Sequence, residues 1–129
     1  MEKINLSIVT PYGEIFAGEV DSITMPGVEG EFGVFYGHSN LLSLLKAGVI
    51  EIINDGKHEL VAIDWGYADV SATRVSVIAN GAVAVGGDDE GAISEGIDNA
   101  RKLLEEASDD RVAISSVVSR IEQVVKSGI

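Results

Sequence analysis

His38 and Ser39 are adjacent, and an imidazole beside a hydroxyl is the start of a nucleophile–base pair. Gly37-His38-Ser39-Asn40-Leu41 opens like a nucleophile elbow but lacks the closing glycine. Neighbours on a strand also point to opposite faces, so these two side chains are poorly placed to share a proton. Ser39 reads instead as a hydroxyl that caps a turn. His58 is the other histidine, and the chain has no cysteine. A zinc site would have to be completed by carboxylates, and no ligand spacing is seen. Gly27, Gly30, Gly33 and Gly37 cluster without a following Gly-Lys-Ser/Thr, which excludes a phosphate loop and leaves tight interstrand loops as their use. Gly87-Asp88-Asp89-Glu90-Gly91 does not match the calcium-loop spacing. No catalytic residue and no metal ligand is assigned, and no cofactor is required.

The composition points the same way. The formal net charge of -12 opposes phosphate backbones and anionic lipid surfaces, so neither nucleic acid nor bare membrane is an expected partner. Hydrophobic residues are 46% of the 129, enough for a core, but aromatics are only 5%, so Val, Ile, Leu and Ala must fill it. No run approaches the roughly 20 apolar residues of a spanning helix, and the first residues do not read as a signal peptide. Any membrane association is expected to run through a protein partner.

The elements behind these residues fall into two halves. Ile4, Leu6 and Ile8 alternate with polar residues, as do those of Arg74-Val75-Ser76-Val77-Ile78. Pro11-Tyr12-Gly13 and Asn80-Gly81 read as turns, and Pro26-Gly27 as the stop of a strand over Val20–Met25. Asn54-Asp55-Gly56 between two apolar runs is a hairpin signal. Leu41-Leu42-Ser43-Leu44-Leu45 fits a strand or a helical turn equally. Many short strands at this spacing predict a sandwich or closed barrel over 1–86. Residues 87–91 read as a hinge linker. Beyond it, 92–129 has helical periodicity. Ile97, Ala100, Leu104 and Ala107 share one face, and Ile114, Val117, Val118, Ile121, Val124 and Val125 form a second stripe. Ser108-Asp109-Asp110 between them predicts an antiparallel helical hairpin. The second helix is rich in Val, Ile and Ser, each costing up to about 0.7 kcal/mol relative to Ala. Its stability must come from burying its stripe, and an exchangeable partner would give it two homes.

The stretch from Met25 to Leu42, MPGVEGEFGVFYGHSNLL, resembles the epsilon subunits of F-type ATP synthases, with Pro-Gly, an acidic Gly-Glu loop, Gly-Val, then Gly-His before a leucine pair. Lys46-Ala47-Gly48-Val49, Gly66-Tyr67-Ala68-Asp69-Val70 and Val75-Ser76-Val77-Ile78-Ala79 look like the same family, and the layout agrees along the whole chain. Tyr36 departs from it, standing where the family usually has proline before Gly-His.

The resemblance implies a ten-stranded β-sandwich followed by a C-terminal antiparallel α-helical hairpin, in a non-catalytic rotor subunit of a proton-translocating enzyme. One face would bind the gamma subunit and the lower loops would rest on the c-ring, at the cytoplasmic face of the bacterial plasma membrane. Glu29 and Glu31 would belong to the ring-facing loop, and His38 would lie near gamma. The helices would restrain ATP hydrolysis by reaching the alpha and beta subunits, with Arg111, Arg120 and Lys126 as the basic residues available to meet beta. Ile97-Asp98-Asn99-Ala100-Arg101-Lys102 resembles the family's regulatory ATP motif, with Lys102 where it has alanine. Asp98 and Arg101 also make an ordinary intrahelical pair at i, i+3. Two other classes are weighed on residues alone: a carbohydrate-binding sandwich, which would want more exposed aromatics than this chain has, and a hydrolase built on Ser39 and His38.

Overall fold

The computed structural model describes residues 2–85 and 90–107. Ten strands come first: β1 (Ile4–Thr10), β2 (Gly13–Val20), β3 (Ser22–Gly27), β4 (Gly30–Phe35), β5 (Leu41–Leu45), β6 (Gly48–Asn54), β7 (Lys57–Ile63), β8 (Gly66–Val70), β9 (Arg74–Ala79) and β10 (Ala82–Val85). A helix follows, α1 (Glu90–Ala107). The sheet order is β10-β7-β6-β3-β5-β8-β9-β1-β2, with β4 paired to β3 off this path. Strands β1 and β9 run parallel; the other pairs are antiparallel. Strand β2 also contacts β6 and β10, so the sheet closes over itself as a sandwich.

Alternation decides which side chains go inside. Ile4, Leu6 and Ile8 of β1 meet Ile50 and Ile52 of β6, Val61 and Ile63 of β7, and Val75 and Val77 of β9 in one buried cluster. A core of β-branched residues suits pleated strands, whose branched side chains pack across neighbouring ladders. Leu41–Leu45 is a strand, paired with β8 from Leu41↔Val70 to Leu45↔Gly66. Asn54↔Lys57 closes the expected β6–β7 hairpin. Its loop residues Asp55 and Gly56 have φ of 53° and 78°, the left-handed pair that a tight two-residue hairpin needs.

One sequence expectation is corrected. Strand β3 does not stop at Pro26-Gly27; it runs through both, pairing Pro26↔Glu31 and Gly27↔Gly30 with β4. Proline is tolerated because β3 parts from β6 after Thr24 and reaches β5 only at Gly27. Asn80-Gly81 turns the chain between β9 and β10, and β10 then crosses to pair with β7.

Helix α1 begins at Glu90, two residues before the expected start. Ala100 and Leu104 are buried, and Ile97 and Leu103 are half-buried. Ala100 packs with Val49, Leu60, Ala62 and Val85, so α1 covers the outer face of β6, β7 and β10. Residues 86–89, the end of the expected sandwich and the start of the expected linker, and 108–129, which hold the expected turn and second helix, lie outside the described residues.

Candidate functional site

The residues singled out by sequence lie at opposite ends of β4. Val28-Glu29 is the two-residue turn between Gly27 and Gly30, and Glu31 opens β4. Gly27 is needed there because a Cβ would sit 2.7 Å from the Gly30 carbonyl oxygen and 3.0 Å from the Phe32 ring. Gly30 has φ of 137°, which few other residues adopt. Glu29 and Glu31 are both exposed. His38 is in the β4–β5 loop, six strand residues away, roughly 20 Å at 3.3 Å per residue.

The His38 loop is tied to its neighbours. Gly37 N–H donates to the Ala72 carbonyl at 2.7 Å, and His38 N–H to the Phe35 carbonyl at 3.2 Å. His38 Nδ1 lies 2.6 Å from the Ser39 carbonyl oxygen, so its contact to Ser39 is with backbone and not with the hydroxyl. Ser39 has no geometry for a nucleophile pair. Tyr36 donates to the Glu2 carboxylate, and that hydrogen bond, with the carboxylate's charge, holds the phenol above its ordinary value. The side chain at the atypical position thus ties this loop to the N-terminal segment. His58 Nδ1 lies 2.8 Å from Glu51 Oε1 across the β6–β7 hairpin. Among the described residues no group of acidic and histidine side chains could hold a metal ion.

Sequence reasoning missed the largest feature. On the outer face of β5, β8, β9 and β1, register places Leu44 beside Tyr67, Tyr67 beside Ile78 and Ile78 beside Val9. Leu44 is 63% exposed, Tyr67 38% and Ile78 42%, and Leu42 beside this row is 71% exposed. Val28 joins it, since its N–H donates to the Leu44 carbonyl at 3.0 Å. A row of four strands spans roughly 15 Å at 4.8 Å per strand. Contiguous exposed apolar surface of this kind on a sheet face marks a docking surface. The available signal was Leu41-Leu42-Ser43-Leu44-Leu45, apolar on both faces if it is a strand.

The opposite outer face is covered by α1. There Asp98 and Arg101 are exposed while Ile97 is half-buried against the sheet. Arg111, Arg120 and Lys126 lie outside the described residues. At the His38 end of the sandwich, Lys3 Nζ binds Asp55 Oδ1 at 3.0 Å and Asp21 Oδ1 at 3.2 Å, and also meets Asn54. Asp21 accepts the Asp55 N–H at 2.8 Å. That N–H, with Lys3, holds the Asp21 carboxyl below its ordinary value, and Asp55 with Asp21 holds the Lys3 ammonium above its own. No described helix is long and apolar enough to cross a membrane.

Residues 3–85 match the family described as ATP synthase, Delta/Epsilon chain, beta-sandwich domain. The chain is similar to the ATP synthase epsilon chain of Wolinella succinogenes, 58% identical over 130 aligned positions that cover 100% of this chain and 99% of that one. It is 56% identical to the epsilon chain of Helicobacter hepaticus, with the same coverage. Among solved structures, a chain of the Euglena gracilis mitochondrial ATP synthase OSCP/F1/c-ring assembly superimposes with a TM-score of 0.63 at 26% identity, covering 95% of this chain and 74% of that one. A chain of the Tetrahymena thermophila mitochondrial ATP synthase central stalk and c-ring shares the fold, at a TM-score of 0.57 and 14% identity, covering 82% of this chain and 96% of that one.

Proposed function

The chain belongs to the ATP synthase epsilon-chain family, and from that membership we propose that it is a rotor piece that joins the c-ring to the gamma subunit. Members of the family are non-catalytic subunits, and nothing in the geometry of His38 and Ser39 argues for turnover. The observation that carries the proposal is the exposed row Leu44–Tyr67–Ile78 on an otherwise ordinary sandwich. Such a row is costly to leave in water, at roughly 25 cal/mol per Å² of apolar surface, and its natural cover is the apolar flank of gamma. A sheet whose ladders and core interlock is stiff, so a push on one edge arrives at the other with little loss.

In this reading the turn of Glu29 and Glu31 rests on the ring, and His38, at the other end of β4, lies toward gamma. The protein would work at the cytoplasmic face of the plasma membrane of its bacterium, held there by its partners. Co-purification tests the central claim. Leu44→Asp should abolish recovery of the chain with gamma while leaving its melting temperature unchanged, because residue 44 is already in water. Full recovery with gamma would reject the docking face. Glu31→Lys should weaken attachment to the ring without affecting gamma.

The helical region supplies regulation in the same reading. Helix α1 resting on β6, β7 and β10 is the retracted arrangement; released, the helices would reach along gamma toward alpha and beta, with Arg111, Arg120 and Lys126 as the basic contacts, and obstruct hydrolysis. Deleting the chain from Asp89 onward should then raise ATPase activity of the assembled enzyme. A regulatory nucleotide on Ile97, Asp98 and Arg101 is compatible with the exposure of Asp98 and Arg101 and is tested by calorimetry with ATP on the free protein.

A further inference from the structure

One end of the sandwich gathers more than the acidic turn. The strand directions bring together the β1–β2 turn (Pro11-Tyr12), the β3–β4 turn (Val28-Glu29), the β5–β6 link (Lys46-Ala47), the β7–β8 link (Asp64-Trp65) and the β9–β10 link (Asn80-Gly81). Tyr12 is 94% exposed and Trp65 57% exposed, in a chain with one tryptophan and three tyrosines. Neither ring is on a loose loop. Tyr12 N–H donates to Thr10 Oγ1 at 3.1 Å, and that hydroxyl donates to the Gly13 carbonyl at 3.3 Å, so the turn is fixed from within. Trp65 N–H donates to the buried Asp64 carboxylate at 2.7 Å, and its carbonyl accepts Asn80 N–H at 3.0 Å.

Register orders these groups along the end. Strand β1 lies beside β9, β9 beside β8, β8 beside β5, and β5 meets β3 at its last residue. Tyr12, Trp65 and Val28-Glu29 therefore follow one another across about four interstrand spacings, roughly 20 Å. Among the described strands and their links, the exposed charges at this end are the carboxylates of Glu14, Glu29 and Glu31 and the ammonium of Lys46.

We propose that Tyr12 and Trp65 are aromatic anchors for a basic, polar loop of the c-ring, acting beside Glu29 and Glu31. The chemistry selects the occupant. A purely apolar partner would leave three carboxylates desolvated beside it, and an anionic one would be repelled. An arginine or lysine side chain is attracted both by the face of an aromatic ring and by a neighbouring carboxylate. Tyr and Trp also lose little conformational freedom on binding, and their polar edges stay satisfied at a wet interface. The inference rests on the reading of the Glu29 turn as ring-facing and adds residues to it that the family resemblance did not assign.

The test uses the gamma–epsilon pair and detergent-solubilised c-ring immobilised on a sensor. Tyr12→Ala and Trp65→Ala should each weaken ring binding about tenfold, with Trp65→Phe staying within about threefold because a ring face remains. Binding should fall as salt is raised. Ring affinity unchanged in both alanine variants overturns the anchors. If Glu29→Lys is also without effect, the ring-facing reading falls with them; if Glu29→Lys alone weakens binding, only the anchors fall. If either alanine variant is lost from gamma before ring is added, the surface belongs to gamma and its assignment to the ring is overturned. Tyr12 projects into water, so its variant tests binding without endangering the fold.

Discussion

The Asp64 carboxylate accepts the Gly81 N–H at 2.8 Å, and the Leu103 side chain of α1 rests on the open side of that same glycine. A Cβ at residue 81 would lie 3.1 Å from Asp64 Oδ2 and 3.1 Å from Leu103 Cδ1. The crossover loop is thus squeezed between a buried acid and the helix. Asp64 also takes the Asn80 side-chain amide at 2.7 Å, which with Trp65 N–H makes three donors on one carboxylate. Removing it strands those donors in a part-buried site. Asp64→Ala is expected to destabilise the protein by about 2–4 kcal/mol, read from urea unfolding. Asp64→Asn, which keeps one acceptor, should cost less.

Gly66 is the tightest close approach in the sheet. A Cβ there would fall 2.2 Å from the Ile78 carbonyl oxygen and 2.9 Å from the Ala79 Cα, both backbone atoms of the paired strand. The ladder would have to part, so Gly66→Ala should cost roughly 3 kcal/mol or more or prevent folding. Gly56→Ala meets nothing within 4 Å and suffers only its φ of 78°. It should cost about 1 kcal/mol. Thermal melts of the two variants side by side check the ranking.

The Lys3–Asp21–Asp55 cluster makes stability depend on pH at both extremes. Asp21 is held below its ordinary value, first by the Asp55 N–H and then by Lys3. Its contribution is therefore present above the unfolded value of about 3.9 and is lost as pH falls through the lower folded value. Lys3 is held above its ordinary value, first by Asp55. Its contribution is complete below about 10.4 and is lost as pH rises through the higher folded value. The stability gap between the parent and Lys3→Met should be flat from about pH 5 to about pH 9 and should narrow beyond either end. Both groups are only partly buried, so the gap should also shrink with salt. A gap that ignores pH would remove Lys3 from the clamp.

Much of this fold was legible in the residues because alternation is a local signal. Ile4, Leu6 and Ile8 announce a half-buried strand without reference to anything distant. Asp55-Gly56 announces its hairpin by backbone chemistry. Pairing is not local. Nothing in Asn80-Gly81 says that β10 leaves β9 for β7, and nothing in Pro26 says that β3 has no neighbour needing its N–H at that point. The docking face was hidden for the same reason. Leu42, Leu44, Tyr67 and Ile78 come from three strands, and only register makes them one surface. Leu103 escaped the helical stripe because the seat of α1 includes Gly81, which no helical pattern reveals.

Helix α1 is held by a short list of contacts, and one small residue is central to them. Ala100 is fully buried against Val49, Leu60, Ala62 and Val85, and Leu104 is buried one turn on. Gly96 also approaches closely, with space for a Cβ only 3.5 Å from Val85 Cα. A carboxylate at residue 100 would be buried without a partner, which costs far more than the helix gains from its contacts. Ala100→Asp should therefore release α1 and leave the sandwich intact, since Ala100 takes no part in the main core. Hydrogen exchange should show α1 amides losing protection while those of β1, β6 and β9 keep theirs. In the assembled enzyme, release is expected to favour the extended arrangement and lower ATP hydrolysis. Unchanged protection of α1 would show that the seat tolerates the charge. Released helices with undiminished ATPase activity would separate the position of α1 from inhibition.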